Sequence, residues 1–366
     1  MVTISVICLD FFTTIDTLSV ILASGILIML AFIWAIHSHK NRLDVLRERM
    51  SNLFLPLLQD AIWFEKSDNS DEQISISESF VKFLKNKKYR NWLIEDIIKA
   101  KNSLTGIAAK NLEALYEQLD LYKDSFAKLQ QNKWDIQARG IQELYLMNNK
   151  RYMVEMLQLT HYDHNYVRAE AQMGMICLNG FKGLEFLNEL TLPISEWNQI
   201  RLLNHLSKMP YEAFLNVHLW LKSENDSVVI FALKFIGIYH LFDFQKEALS
   251  CLSHPNNDIK FAVLNVLQEV HDECSELVVD ESYPMFDSVQ LKLKALETLA
   301  VIGTSQSLPL LQEELRNGNR TIKLFAGRAI VQSLKNGISV LEDILAHTKD
   351  EDGIAIIEHL KFELQR

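Results

Sequence analysis

Apolar residues fall along this chain in two regimes. Residues 18–36, LSVILASGILIMLAFIWAI, are nineteen in a row without a charge. As a helix they span about 29 Å, the hydrocarbon thickness of a bilayer. A core helix of a soluble fold rarely runs this long without a polar face, so the pattern predicts a membrane-crossing segment. Beyond it, Leu43, Leu46, Met50, Leu53, Leu57 and Ile62 return at helical intervals, with Pro56 expected to kink or restart that helix. The polar stretch SDNSDEQISISE, residues 67–78, reads as a loop. The following FVKFLKNKKYRNWLIEDII reads as one helix with a basic first half, and residues 111–119 as a short amphipathic helix.

Charge gives the span a direction. Lys40, Arg42, Arg47 and Arg49 follow it and no basic residue precedes it, which by the positive-inside rule puts the N-terminus outside and the rest in the cytoplasm. A cleaved signal peptide would have a basic start and a small-residue exit, and this segment has neither. The expected organisation is a non-cytoplasmic N-terminus at 1–17, a single cell-membrane span through the lipid bilayer at 18–36, a juxtamembrane helical segment at 37–103 and a repeat domain at 104–366.

The repeat is visible as an aliphatic residue with a small residue one turn later: Ile136 with Gly140, Val167 with Ala171, Val228 with Ala232, Leu291 with Ala295, Ile322 with Ala326. Ile259 with Ala262 fits one place early, Ile200 with Arg201 fills a gap more weakly, and Ile354 marks a terminal unit. Asn225, Asn256, Ser288 and Asn319 stand three positions before their anchors, where a helix N-cap belongs. A first helix precedes most anchors, at FLNEL, YEAFLNVHLWL, KEALSCL, LPLLQEEL and VLEDILA. Two helices per unit of about 31 residues predict an all-α fold, a single transmembrane helix followed by a right-handed α-solenoid.

The runs DHNYVRAEA from Asp163, HPNNDIKFAVLNVL from His254 and LKLKALETLAVIG ending in Gly303 resemble the HEAT-repeat family in its short bacterial form. The resemblance is clearest over 133–366 and implies architecture rather than chemistry. Val229 departs from the arginine that family favours, and the long connection HDECSELVVDESYPMF is expected to distort one first helix.

One position after the anchors stand Arg168, Arg201, Lys260, Lys292 and Lys323. Such a row is either an inter-repeat ladder to Asp163, Asp226, Asp258 and Asp287, as the family implies, or a groove for an anionic partner. The net charge of −10 lies entirely in residues 102–366, which favours the ladder and argues against nucleic acid as a partner. Lys82, Lys85, Lys87, Lys88 and Arg90 form a basic cluster, either lipid-headgroup contacts or a solvated face. His161 with His164 and His37 with His39 lack a carboxylate or thiol at ligand spacing. Trp197, Trp220, Phe231 and Phe235 recur at helical spacing and read as core, with a groove-lining role as the alternative. Four scattered cysteines mark neither a disulfide framework nor a zinc site.

No nucleophile elbow, P-loop, zinc-protease motif or dinucleotide fingerprint occurs. Deoxyhypusine hydroxylases, HEAT-like enzymes, bind iron through His-Glu pairs, and this chain has none. The expectation is therefore a non-enzymatic, cofactor-free membrane scaffold that binds protein partners. The alternatives are an accessory subunit of a membrane enzyme complex, for instance in envelope polymer synthesis or export, and a HEAT-like lyase.

Overall fold

A computed structural model describes residues 2–65, 73–209, 216–346 and 351–364. Among the described residues every regular element is a helix and no strand occurs. The chain divides into two units, Met1–Gln130 and Gln131–Arg366.

The first unit begins with α1, Val2–Ile62, a single helix of 61 residues and so about 90 Å long. It runs through Pro56 without ending or restarting, contrary to the reading of that proline as a break. The ring removes only one bond, the one to the carbonyl of Asn52. The turns around it are held from outside, because Met50, Phe54, Leu57, Leu58 and Ala61 are buried on one face packed against α3, Lys87–Asn102, and α4, Ile107–Gln118. Arg47 closes the same contact with bonds of 2.8 and 2.6 Å to Asp96. The upper part of α1 is different. From Leu22 onward it is long and apolar enough to cross a membrane, and none of that apolar window is buried. Leu22 is 66% and Ile28 71% exposed, so this stretch is not a core helix of the fold.

The single basic helix expected after residue 78 is two: α2, Glu78–Phe83, and α3. The break comes at Asn86, whose side chain accepts from the Lys88 amide at 2.9 Å and starts a new helix. The fifth helix, α5, Tyr122–Leu129, packs on α3, and Arg90 joins them through Asp124 at 2.6 Å.

In the second unit a row of longer helices carries the core. These are α6, Trp134–Leu146; α8, Asn165–Asn179; α9, Glu196–Leu206; α11, Asp226–Tyr239; α13, Asn257–Leu267; α15, Val289–Ile302; α17, Arg320–Ser333; and α19, Glu351–Leu364. Each packs on the next: α6 on α8, α8 on α9, and so on to α17 on α19. Between them lie shorter helices: α7, Met153–Leu159; α10, Val217–Trp220; α12, Gln245–Ser250; α14, Glu273–Ser282; α16, Leu308–Asn317; and α18, Gly337–Ala346. A 3-10 helix, Gly180–Glu189, takes this place after α8. The interval 210–215, part of one expected first helix, lies outside the described residues.

The N-caps of the long helices are Lys133, His164, Ser195, Asn225, Asn256, Ser288 and Asn319, spaced 31, 31, 30, 31, 32 and 31 positions apart. Ser195, Asn225, Asn256 and Asn319 accept a backbone amide of the first turn through their side chains, whereas Ser288 does not. Three places after each cap from 164 onward stands a buried residue: Val167, Asn198, Val228, Ile259, Leu291 and Ile322. The cap of α9 corrects the alignment there, since the anchor is Asn198, 4% exposed, and not Ile200, which is 50% exposed. Asn198 is polar and escapes an aliphatic pattern. Its amide nitrogen donates to Gln172 Oε1 at 2.7 Å, while its Oδ1 is buried without a partner.

The connection expected to be irregular before Phe286 carries a regular helix, α14, Glu273–Ser282, followed by a 3-10 turn at Tyr283–Met285. The helix is opened by a capping box in which Asp272 and Ser275 each accept the other's backbone amide, which satisfies two donors at once. Trp220, Phe231 and Phe235 form an edge-packed cluster in the core. Trp197, read as core from its spacing, is instead exposed on the first turn of α9.

Candidate functional site

A concavity of about 1130 Å³ in the second unit runs across α9, α11 and α13. Its build is periodic. The fifth residue after each cap gives Ile200, Ile230 and Phe261, and the ninth gives Asn204, Lys234 and Asn265; all six line the groove. The first set is an apolar ridge left open to solvent, with Ile200 and Phe261 half exposed. The second is polar, and Lys234 is turned along the wall, donating to Gln199 Oε1 at 3.1 Å. Glu196, Asp226 and Asp258 line the end where the three helices begin, and Glu269 the far end. Asp226 is fixed in place by Asn256, whose amide donates to it at 2.6 Å. The groove is therefore apolar along its floor and acidic at its ends.

The basic row lies elsewhere: none of Arg168, Arg201, Lys260, Lys292 and Lys323 is among the groove's walls. Arg168 is buried and donates to the carbonyls of Tyr162 and Asp163, in the turn before its helix, and to Asn165 Oδ1 in the helix's first turn, at 2.6, 3.0 and 2.6 Å. Arg201 sits two places further along its helix than the others, so Gln199 occupies its place in the row. It clamps Glu170 of α8 at 2.8 and 2.9 Å and donates to Tyr145 of α6 at 3.2 Å, tying three long helices together. Burial alone would lower the Arg201 pKa, but the bonds and charge of Glu170 raise it overall. Burial first, and Glu170 next, push the Tyr145 phenol up. Lys260 and Lys323 are half-buried, and Lys292 lies 5.5 Å above the Tyr283 ring. Two of the aspartates are met by asparagines of an adjoining unit, Asp226 by Asn256 of the following one and Asp287 by Asn257 of the preceding one.

In the basic cluster, Lys82, Lys85 and Lys87 are exposed. Lys88 sits 4.9 Å over Trp92, and Arg90 is committed to Asp124 and to the carbonyls of Leu84 and Lys85. His164 stacks on Trp134 at 4.9 Å. Among the described residues no group of three histidines, cysteines or carboxylates is placed to hold a metal.

The groove residues were missed because pattern reading looks for what is buried, and these are half exposed. Their signal is a constant offset from the caps, readable only once the cap of α9 is set at Ser195.

No protein family matches the chain, and no curated protein matches it. Among solved structures, the crystal structure of an engineered protein is 13% identical with a TM-score of 0.39, the match covering 87% of this chain and 95% of that one. The complex of CpcE and CpcF of the phycocyanin lyase from Nostoc sp. PCC7120 is 12% identical with a TM-score of 0.25, covering 81% and 97%.

Proposed function

We propose that this chain is a single-pass membrane adaptor, its cap-phased helix pairs stacking as HEAT-like units of a right-handed α-solenoid that holds a protein partner in the α9–α11–α13 groove. The observation that carries this reading is the groove itself: three successive long helices present an open apolar ridge at one fixed offset from their caps. Exposed apolar surface arranged in register on a folded domain is a place for another chain. The upper part of α1 supplies the anchor, and confinement to the bilayer raises the effective concentration of anything the groove holds. The basic residues after the span set the orientation, N-terminus outside and repeat unit in the cytoplasm. Walls with four carboxylates and one lysine suit neither nucleic acid nor an anionic metabolite.

A second reading, an accessory subunit of a membrane enzyme complex, is favoured by the small residues Ser24 and Gly25 in the apolar part of α1. Small residues on one helix let a neighbouring span approach closely.

In-cell photo-crosslinking tests the proposal. A crosslinker at position 200 or 261 is expected to trap one protein partner, and the same group at exposed Leu277 on α14 is not. Ile200→Asp and Phe261→Asp are expected to abolish binding while helical circular dichroism stays unchanged, because both side chains are half exposed. A partner that crosslinks equally from Leu277, or binds both variants normally, would reject the groove.

A further inference from the structure

We infer that the groove's partner is a basic amphipathic helix, a segment with apolar residues one heptad apart and lysine or arginine beside them. The inference rests on the groove reading above and adds the chemistry of the occupant. Two features of the walls carry it.

The first is spacing. The ridge residues Ile200, Ile230 and Phe261 come one from each of α9, α11 and α13, and these helices pack consecutively. Packed helices lie about 8–10 Å apart, so the ridge repeats at that interval. Residues seven apart on an α-helix are about 10.5 Å apart on one face. A helix lying across the three can therefore set one apolar side chain beside each ridge residue in register, the usual logic of a helix in a groove. Covering the two intervals takes about 14 residues.

The second is charge. The lining carries Glu196, Asp226, Asp258 and Glu269 against Lys234; Lys234 is engaged with Gln199, and Lys294, 5.6 Å over the Phe261 ring, is paired with Glu297 at 3.2 Å. Glu196, Asp258 and Glu269 are exposed. An acidic helix would meet like charge at both ends of the groove, whereas a basic one is steered to it and held in orientation. The asparagines Asn204 and Asn265 are exposed between ridge and ends, so the occupant's flank can be polar without a buried, unpaired group.

The test uses the full chain in phosphatidylcholine nanodiscs, with empty nanodiscs as the blank. The probe is a 14-residue Leu/Lys peptide of helical period bearing a benzophenone, compared with a Leu/Glu peptide of the same apolar pattern. The Leu/Lys peptide is expected to crosslink to residues of α9, α11 and α13, to weaken as salt rises, and to lose about tenfold in affinity on the combined change Glu196→Gln, Asp258→Asn and Glu269→Gln. Those three side chains are exposed, and an unchanged circular dichroism spectrum of the variant guards against misfolding. Equal affinity for the two peptides, indifference to the triple change, or crosslinks outside the three helices would overturn the inference. The outcomes separate the two levels. If Phe261→Asp loses the native partner but the peptides show no charge preference, the groove stands and the basic helix falls. If Phe261→Asp keeps the native partner, the groove reading itself falls.

Discussion

Glu276 and Asp280 stand one turn apart on α14, and their surroundings move them in opposite directions. Burial by itself would raise the Glu276 pKa, but Ser307 and Thr304 donate to its carboxylate through both hydroxyls and backbone amides, and the net result is a lowered value. Asp280 has less help. Burial first, and the Glu276 charge next, push it up to about 6, and its Oδ1 is buried without a partner. A carboxyl whose folded pKa lies above its ordinary value near 3.9 binds its proton more tightly in the fold. The stability this gives is complete below that ordinary value and is lost as pH rises through about 6. Asp280→Asn is therefore expected to match the parent chain in stability at pH 4 and to exceed it at pH 8, by about 1 kcal/mol after allowance for solvent screening. Thermal melts at the two pH values check this; a variant equally stabilised or destabilised at both would contradict it. No sequence pattern points to this pair, since its behaviour depends on donors from residues 304 and 307, brought in by the turn before α16.

Helix starts are the best-marked elements in this chain, because a cap is a local device. An Asn or Ser side chain accepts an amide two or three residues ahead, and nothing distant is needed. Asn319 does so at 3.0 Å to the Ile322 amide, and Asn319→Ala is expected to cost about 1 kcal/mol. Ser288 stands in the same phase but makes no such bond, so Ser288→Ala is expected to change the denaturant midpoint little. If the two substitutions cost the same, the cap geometry is not what starts these helices. Two other boundaries were less legible. The basic stretch after residue 78 looks continuous in hydrophobic period, and only the Asn86 cap divides it. Pro56 looks like a break, yet the helix persists because the buried face around it is held by α3 and α4.

Over the whole molecule, the exposed apolar part of α1 and the packed units behave as separate problems. The first unit buries Met50 and the residues after it, not the span. Deleting residues 2–36 is therefore expected to leave a helical, cooperatively melting protein that no longer sediments with membranes. A truncated chain that aggregates with little helical circular dichroism would mean that the span belongs to the fold. The sequence by itself determined the helical class, the apolar span and the phase of most caps, because each follows from a period, a length or a neighbour a few residues away. Tertiary structure alone decided which partner each polar group has. Arg201 holds Glu170 across adjacent long helices, asparagines rather than lysines meet Asp226 and Asp287, and Asn198 is a buried anchor. It also decided where a surface stays open. The ridge of Ile200, Ile230 and Phe261 differs from a core stripe in having, among the described residues, no helix lining the groove above it, and whether an element covers a ridge is a property of the assembled unit that no local pattern encodes.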